Sequence, residues 1–269
     1  MDQFPVELVE KIFKLAACEI HTAISLARVS KPVNSWIIPS LYTSIHLRSD
    51  TDTMLLQRTL HGSSAMVLAP KIKTISFGFV HVPPGFGELL SQICTNLYHV
   101  NLSHHDLSDM MKSFRTLNRV QWLTVQGQLR IVELYHPIPY LGNVTHLHFP
   151  EDSPYHFHFQ DSFPSVTHFS CAYRPAATSS GYKLRPGFLK QVLAKSNPGM
   201  QVIVVHVSLE WVLQSVPGAG DDEMLAYLER LEKEDKRVVV RPYEDLEDDV
   251  EAMWNYADGV IAKKETSLQ

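Results

Sequence analysis

Val144-Thr145-His146-Leu147-His148-Phe149 places an apolar residue, a second one three positions later, and a third two positions after that. The last two alternate as the residues on one face of a strand do. The same spacing recurs as Ile72-Ile75-Phe77, Leu97-Val100-Leu102, Leu117-Val120-Trp122 and Val166-Phe169-Cys171, with Met200-Ile203-Val205 as a sixth copy. Successive starts lie 25, 20, 27, 22 and 34 residues apart. Between the copies run helical signals: Glu88 to Ile93, Leu107 to Phe114, and Phe188 to Ala194. One strand and one short helix per copy, laid side by side, give a mainly parallel sheet.

Four of the five spacings lie within or near the range of leucine-rich repeats. The asparagine of a regular repeat is absent, so the expected fold is α/β, an irregular leucine-rich-repeat-like β/α solenoid over residues 43–220. An ordinary α/β domain with parallel strands is the simpler alternative. Thr43 to Leu47 reads as the opening strand and Asp52 to Leu60 as the helix after it. Residues 221–269 read as a closing helix-strand-helix segment: Glu223 to Lys236, Arg237 to Arg241, and Leu246 to Lys264.

Residues 1–42 have a different pattern. Pro5 suits the start of a helix, where its missing N–H is not needed. Leu8, Ile12 and Leu15 share one stripe, widened by Val9 and Phe13. Glu7–Lys11 and Glu10–Lys14 pair at i,i+4. Thr22 is a candidate N-cap for a second helix, which places Ile24, Leu26, Ala27 and Val29 on or near the buried face. Pro32 and Pro39 bracket a third, with Val33, Trp36 and Ile37 inward. Three helices in so short a span cannot bury all of these apolar side chains alone.

This segment resembles the F-box of large fungal families. The matching residues are Phe4-Pro5-Val6-Glu7-Leu8, Ile12-Phe13, Leu26-Ala27-Arg28-Val29-Ser30-Lys31, Trp36, and Pro39-Ser40-Leu41-Tyr42. Arg237-Val238-Val239-Val240 followed by Trp254 is similar to the C-terminal block of the same families. The resemblance implies a Skp-type adaptor as partner and, through it, a cullin–RING ubiquitin ligase. By position, Phe4, Pro5, Leu8, Ile12, Leu26 and Val29 are the implied adaptor-binding residues. The chain is then expected to be the ligase's substrate-recognition subunit, with a protein target held by the repeat domain. Two alternatives stand beside this: a repeat-type interaction scaffold with no ligase role, and an α/β hydrolase-like enzyme.

Residues between the apolar repeat positions would face an open side of the sheet. They form a polar row: Thr74 and Ser76, His99, Asn101 and Ser103, Arg119 and Gln121, His146 and His148, His168 and Ser170. Of these, His99, Asn101, Arg119, Gln121, His146, His148 and His168 are the candidate substrate-binding residues. His146-x-His148 and His156-x-His158 each put two imidazoles on one strand face, but no cysteine or carboxylate stands beside them at ligand spacing, so no metal or cofactor is expected. GxSxG, HExxH, the P-loop and a dinucleotide glycine fingerprint are all missing, and no catalytic residue is assigned.

Composition sets outer bounds. The net charge of -5 comes with no long Lys/Arg block, so nucleic acid is not an expected partner. The acidity is concentrated at the end: from Asp221 on, 15 acidic side chains face 7 basic ones. Cys18, Cys94 and Cys171 are far apart and odd in number, which points to a reducing compartment. No secretory signal or membrane-length apolar run is visible, so a cytoplasmic or nuclear location is expected.

Overall fold

A computed structural model describes residues 4–78, 80, 82–103, 119–126, 142–150, 163–173, 189–190, 192–193, 199–207, 221–242 and 250–266. Its contacts divide the chain into two compact units. One comprises Met1–Val100 and Asp109–Arg119, the other Asn101–Ser108 and Val120–Gln269. These units are not the segments 1–42, 43–220 and 221–269, because the third helix runs almost directly into the first strand. The carbonyl of Thr43, just before that strand, accepts from the N–H groups of Lys73 and Thr74.

In the first unit, helices α1 (Val6–Ala16), α2 (Ile20–Leu26) and α3 (Lys31–Leu41) are followed by strand β1 (Ser44–Leu47). Ala23, Ala27, Val33 and Ile37 form the helical core, with Phe13, Ala17, Leu26, Trp36, Ile38 and Leu41 packed on it. The rings of Phe13 and Trp36 meet at 6.3 Å. Helix α2 starts at Ile20 rather than after Thr22, and Ser30 caps α3 by accepting from the Val33 N–H. Pro39 lies inside α3 instead of ending it. In the last turn a proline costs little beyond one helical hydrogen bond. The Asn34 amide also donates to the carbonyl of Ala27 at 2.8 Å, joining α3 to the end of α2.

Helix α4 (Asp50–His61) begins with a capping box. Ser49 Oγ accepts from the Asp52 N–H, while the Asp52 carboxylate accepts from the N–H groups of Arg48 and Ser49. The short α5 (Ala65–Leu68) leads to β2 (Thr74–Phe77), which pairs in parallel with β1. Gly85, at φ 79°, precedes α6 (Phe86–Ile93). Only glycine holds that left-handed conformation without strain. Strand β3 (His99–Ser103) follows.

The second unit holds five parallel strands in chain order: β4 (Trp122–Gln126), β5 (His146–Phe149), β6 (His168–Tyr173), β7 (Val202–Val207) and β8 (Val238–Pro242). Helix α7 (Asp221–Glu234) leads into β8, and α8 (Val250–Thr266) closes the chain. The α/β class with parallel strands is thus observed. The closing helix-strand-helix lies where the sequence placed it, apart from residues 246–249, which are outside the described residues. Of the intervening helical signals, α6 matches the first. Leu107 to Phe114 lies outside the described residues, and Leu189, Lys190, Val192 and Leu193 are helical.

One repeat was read out of register. The expected copy Leu117-Val120-Trp122 is displaced by three residues: β4 buries Leu123 and Val125, with Val120 buried just before it. Val120-Leu123-Val125 has the same spacing, and the starts then lie 25, 23, 24, 22 and 34 residues apart. With this copy the strand spacing is more even. In the other copies every apolar position is buried.

Candidate functional site

The candidate adaptor-binding residues lie in the first unit; of the candidate substrate-binding residues, His99 and Arg119 lie in the first unit and Asn101, Gln121, His146, His148 and His168 in the second. In the first unit α1 is apolar on two sides. Phe13 packs on the helical core and Val9 is half-buried, while Leu8, Ile12 and Leu15 are exposed. Helix α1 has no fully buried residue. Phe4 is 69% exposed, Ile12 52%, Leu15 65% and Val29 61%. Leu8 and Pro5 are exposed as well. Of the adaptor-binding set only Leu26 turns inward, where it packs on Ala23 and Ile37 with the rest of the helical core. It is four residues past Thr22 but only one before Ala27, so the sequence placed it on either face.

The sequence missed Val6, Ile20 and Ile24 as members of this surface, all of them exposed. Their signal was present: Ile20 and Ile24 are i,i+4 neighbours. They line a groove of about 440 Å³ with Ala27, Arg28, Asn34, Ile38, Leu41 and Tyr42. Among the described residues, Lys14 pairs with Glu10 along α1 at 2.6 Å.

In the second unit the register sets the polar row. Trp122, His146, His168 and Val202 stand side by side, and Thr124, His148, Ser170, Val204 and Val239 form the next rung. Arg119 and Gln121 are therefore not members of the row. Both are exposed: Arg119 donates to the carbonyl of Thr95, and the Gln121 carbonyl receives the N–H groups of Thr145 and His146. His99 is half-buried, and burial lowers its pKa to about 4. Asn101 Oδ1 is buried with no hydrogen-bond partner. His156 and His158 lie outside the described residues.

The row is not the open face expected of it. Helix α8 covers it with Met253, Trp254 and Ala257, which pack on Val202, Val204 and Val239. Beneath lie four histidines. His146 and His168 stack at 4.1 Å, with Trp254 edge-on to both and Trp122 against His146. His168 Nε2 meets the Asp258 carboxylate of α8 at 3.1 Å. Ser170 Oγ lies 3.0 Å from His148 Nδ1, 2.7 Å from His206 Nε2 and 3.7 Å from Met253 Sδ. His206 was not named from the sequence, although the alternation Val202-Val204-His206 puts it on this face.

Burial dominates the electrostatics. It holds His146 down to about 3, helped by the neighbouring His168. It holds His206 well below the usual imidazole range, with His148 and Arg241 adding like charge. Burial also raises the Cys94 and Cys171 thiols to about 12, so neither is a thiolate nucleophile near neutral pH. The contact of Ser170 with His206 has the first link of an acyl-transfer site. Both residues are fully buried, however, and His206 Nδ1 has no partner to orient it.

No helix among the described residues is long and apolar enough to cross a membrane. Comparison with protein-family models and with curated proteins finds no match to this chain.

Proposed function

We propose that this chain is the substrate-recognition subunit of a Skp–cullin–F-box type ubiquitin ligase, acting in the cytoplasm or nucleus. Helices α1–α3 form an F-box-like module that docks on a Skp-type adaptor. The parallel-strand region is an irregular leucine-rich-repeat-like solenoid, closed by a C-terminal helical cap, and holds the protein target. The observation that carries the reading is the outward stripe of Phe4, Leu8 and Ile12 with Val29, apolar and uncovered beside a separate, filled helical core. A free-standing helical cap would have turned these side chains inward.

The chain performs no covalent step in this scheme and needs no cofactor. Its contribution is proximity: a held target has a high effective concentration near the charged ubiquitin carrier. Capture of a purified Skp-type adaptor by the full chain tests it, with a Pro5→Ala, Leu8→Ala double variant as control. Binding by the intact chain and loss in the variant support the receptor. No binding by the intact, folded chain leaves the interaction scaffold. Substitution is preferable to deleting residues 1–42, because that deletion cuts through a compact unit.

A further inference from the structure

A sheet face that a helix covers for good is ordinarily filled with Val, Ile and Leu. The face beneath α8 is so filled only at β7 and β8, by Val202, Val204 and Val239. At β5 and β6 it presents His146, His148, His168 and Ser170, and β7 adds His206 at its far end. Three buried polar atoms at this interface have no hydrogen-bond partner among the described residues: His206 Nδ1, Arg241 Nε and Trp254 Nε1. Such groups raise the free energy of the closed state, since each would find water on opening.

We infer that α8 is a proton-released latch: it covers the histidine row near neutral pH and lets go on acidification while the strands of the second unit stay paired. The inference rests on the interface alone and stands whether or not α1–α3 bind an adaptor.

The charged groups facing the row from each packed element, among the described residues, set the sign. Strand β4 offers Trp122 and Thr124, neither of which is charged. Strand β5 brings His146 and His148, β6 His168, β7 His206 and β8 Arg241, whose guanidinium lies over the Tyr256 ring of α8. Helix α8 supplies one carboxylate, Asp258, against His168. Lys264, nearer its end, is taken up by Glu232 and the Val238 carbonyl. Four imidazoles and a guanidinium against one carboxylate make proton uptake costly while α8 is seated. The stacking of His146 on His168 adds direct repulsion once both are charged. Once α8 leaves, His146 and His206 return to water, and the burial that lowers their affinity for protons is lifted. Lower pH therefore favours the open state.

The strands have independent means of staying folded. Phe169, Cys171, Ile203 and Val205 on the opposite face are all fully buried, and the β6–β7 ladder pairs over six residues on each strand.

Each histidine freed on opening raises the opening equilibrium up to tenfold per pH unit below about 6.5. With His146 and His206 contributing, α8 opens about a hundredfold more often at pH 5.5 than at pH 7.5. Amide hydrogen exchange of the full chain, corrected for intrinsic rates, reads this directly. The expected result is loss of protection over residues 250–266 with protection retained over 168–173 and 202–207. His146→Phe keeps the ring stack and should cut the pH response to roughly tenfold. Asp258→Asn, a milder change on an exposed side chain, should increase opening, because α8 loses the one carboxylate it sets against the row, at 3.1 Å from His168 Nε2. Helix and strands losing protection together, or a helix whose protection ignores pH in the wild-type chain, would overturn the latch.

Discussion

Ile12 and Ile37 are the same side chain on packed helices of one module, and they should respond to truncation by very different amounts. Ile37 is 0% exposed at the centre of the helical core, so Ile37→Ala removes buried methyl groups and leaves a cavity. Such changes cost about 2–5 kcal/mol. Ile12 is 52% exposed. Full burial of such a side chain stabilises by about 1.5–3 kcal/mol, so a residue that stays half in water gains about 0.7–1.5 kcal/mol, of which truncation to alanine removes only part. Alanine's stronger helix propensity returns a few tenths of that. The assay is hydrogen exchange at the amides of α3, which follows opening of this module whatever the second unit does. Ile37→Ala should speed their exchange roughly 30-fold or more, and Ile12→Ala by less than about fivefold. Equal effects would mean that the outward stripe of α1 is covered in solution by the chain itself, and the reasoning about a free surface would fail.

Other expectations follow from single features. Ser49→Ala removes half of the α4 capping box and should cost about 1 kcal/mol, seen as a lower urea midpoint for the first unit. Gly85→Ala meets no neighbouring atom, yet forces a side chain into φ 79°; a cost of about 1–2 kcal/mol in the same titration is expected. The second unit should lose stability in acid. His146 titrates near 3 when folded and near 6.5 when unfolded, so the unfolded chain takes its proton first. Its contribution is whole above about pH 6.5, falls as pH drops, and is gone by about pH 3. Urea midpoints measured at several pH values would check the direction, and a stability that rises on acidification across that window would contradict it.

The strands were legible because burial selects residue type at every second position, and a residue that leaves the pattern is quickly noticed. The error at β4 shows the limit. Leu117 and Trp122 satisfy the apolar spacing as well as Leu123 and Val125 do, and only the backbone ladder to β5 separates the two registers. The slip moved Arg119 and Gln121 into a row that belongs to Trp122 and Thr124. Helix existence was also plain, but ends were not: Ser49-x-x-Asp52 is a capping signature that the reading passed over, and Glu19 rather than Thr22 precedes α2. The outward stripe on α1 was legible because Leu8 and Ile12 sit about a quarter turn away from Val9 and Phe13. Nothing local could tell which of these two stripes faces in. The cover on the histidine row was beyond local reading altogether. It depends on α8 packing not only on β8, its neighbour in the chain, but on β5, β6 and β7, which end 43 or more residues before it, and no spacing rule encodes those contacts.

Calorimetric titration of the full chain with a purified Skp-type adaptor tests the central claim most directly. One-to-one binding is predicted, weakened at least tenfold by Phe4→Ser, Leu8→Ser, Ile12→Ser together, with the unfolding transition little changed because all three side chains are exposed. A folded chain that gives no heat with the adaptor, or a triple variant that binds as tightly as the parent, would contradict the account.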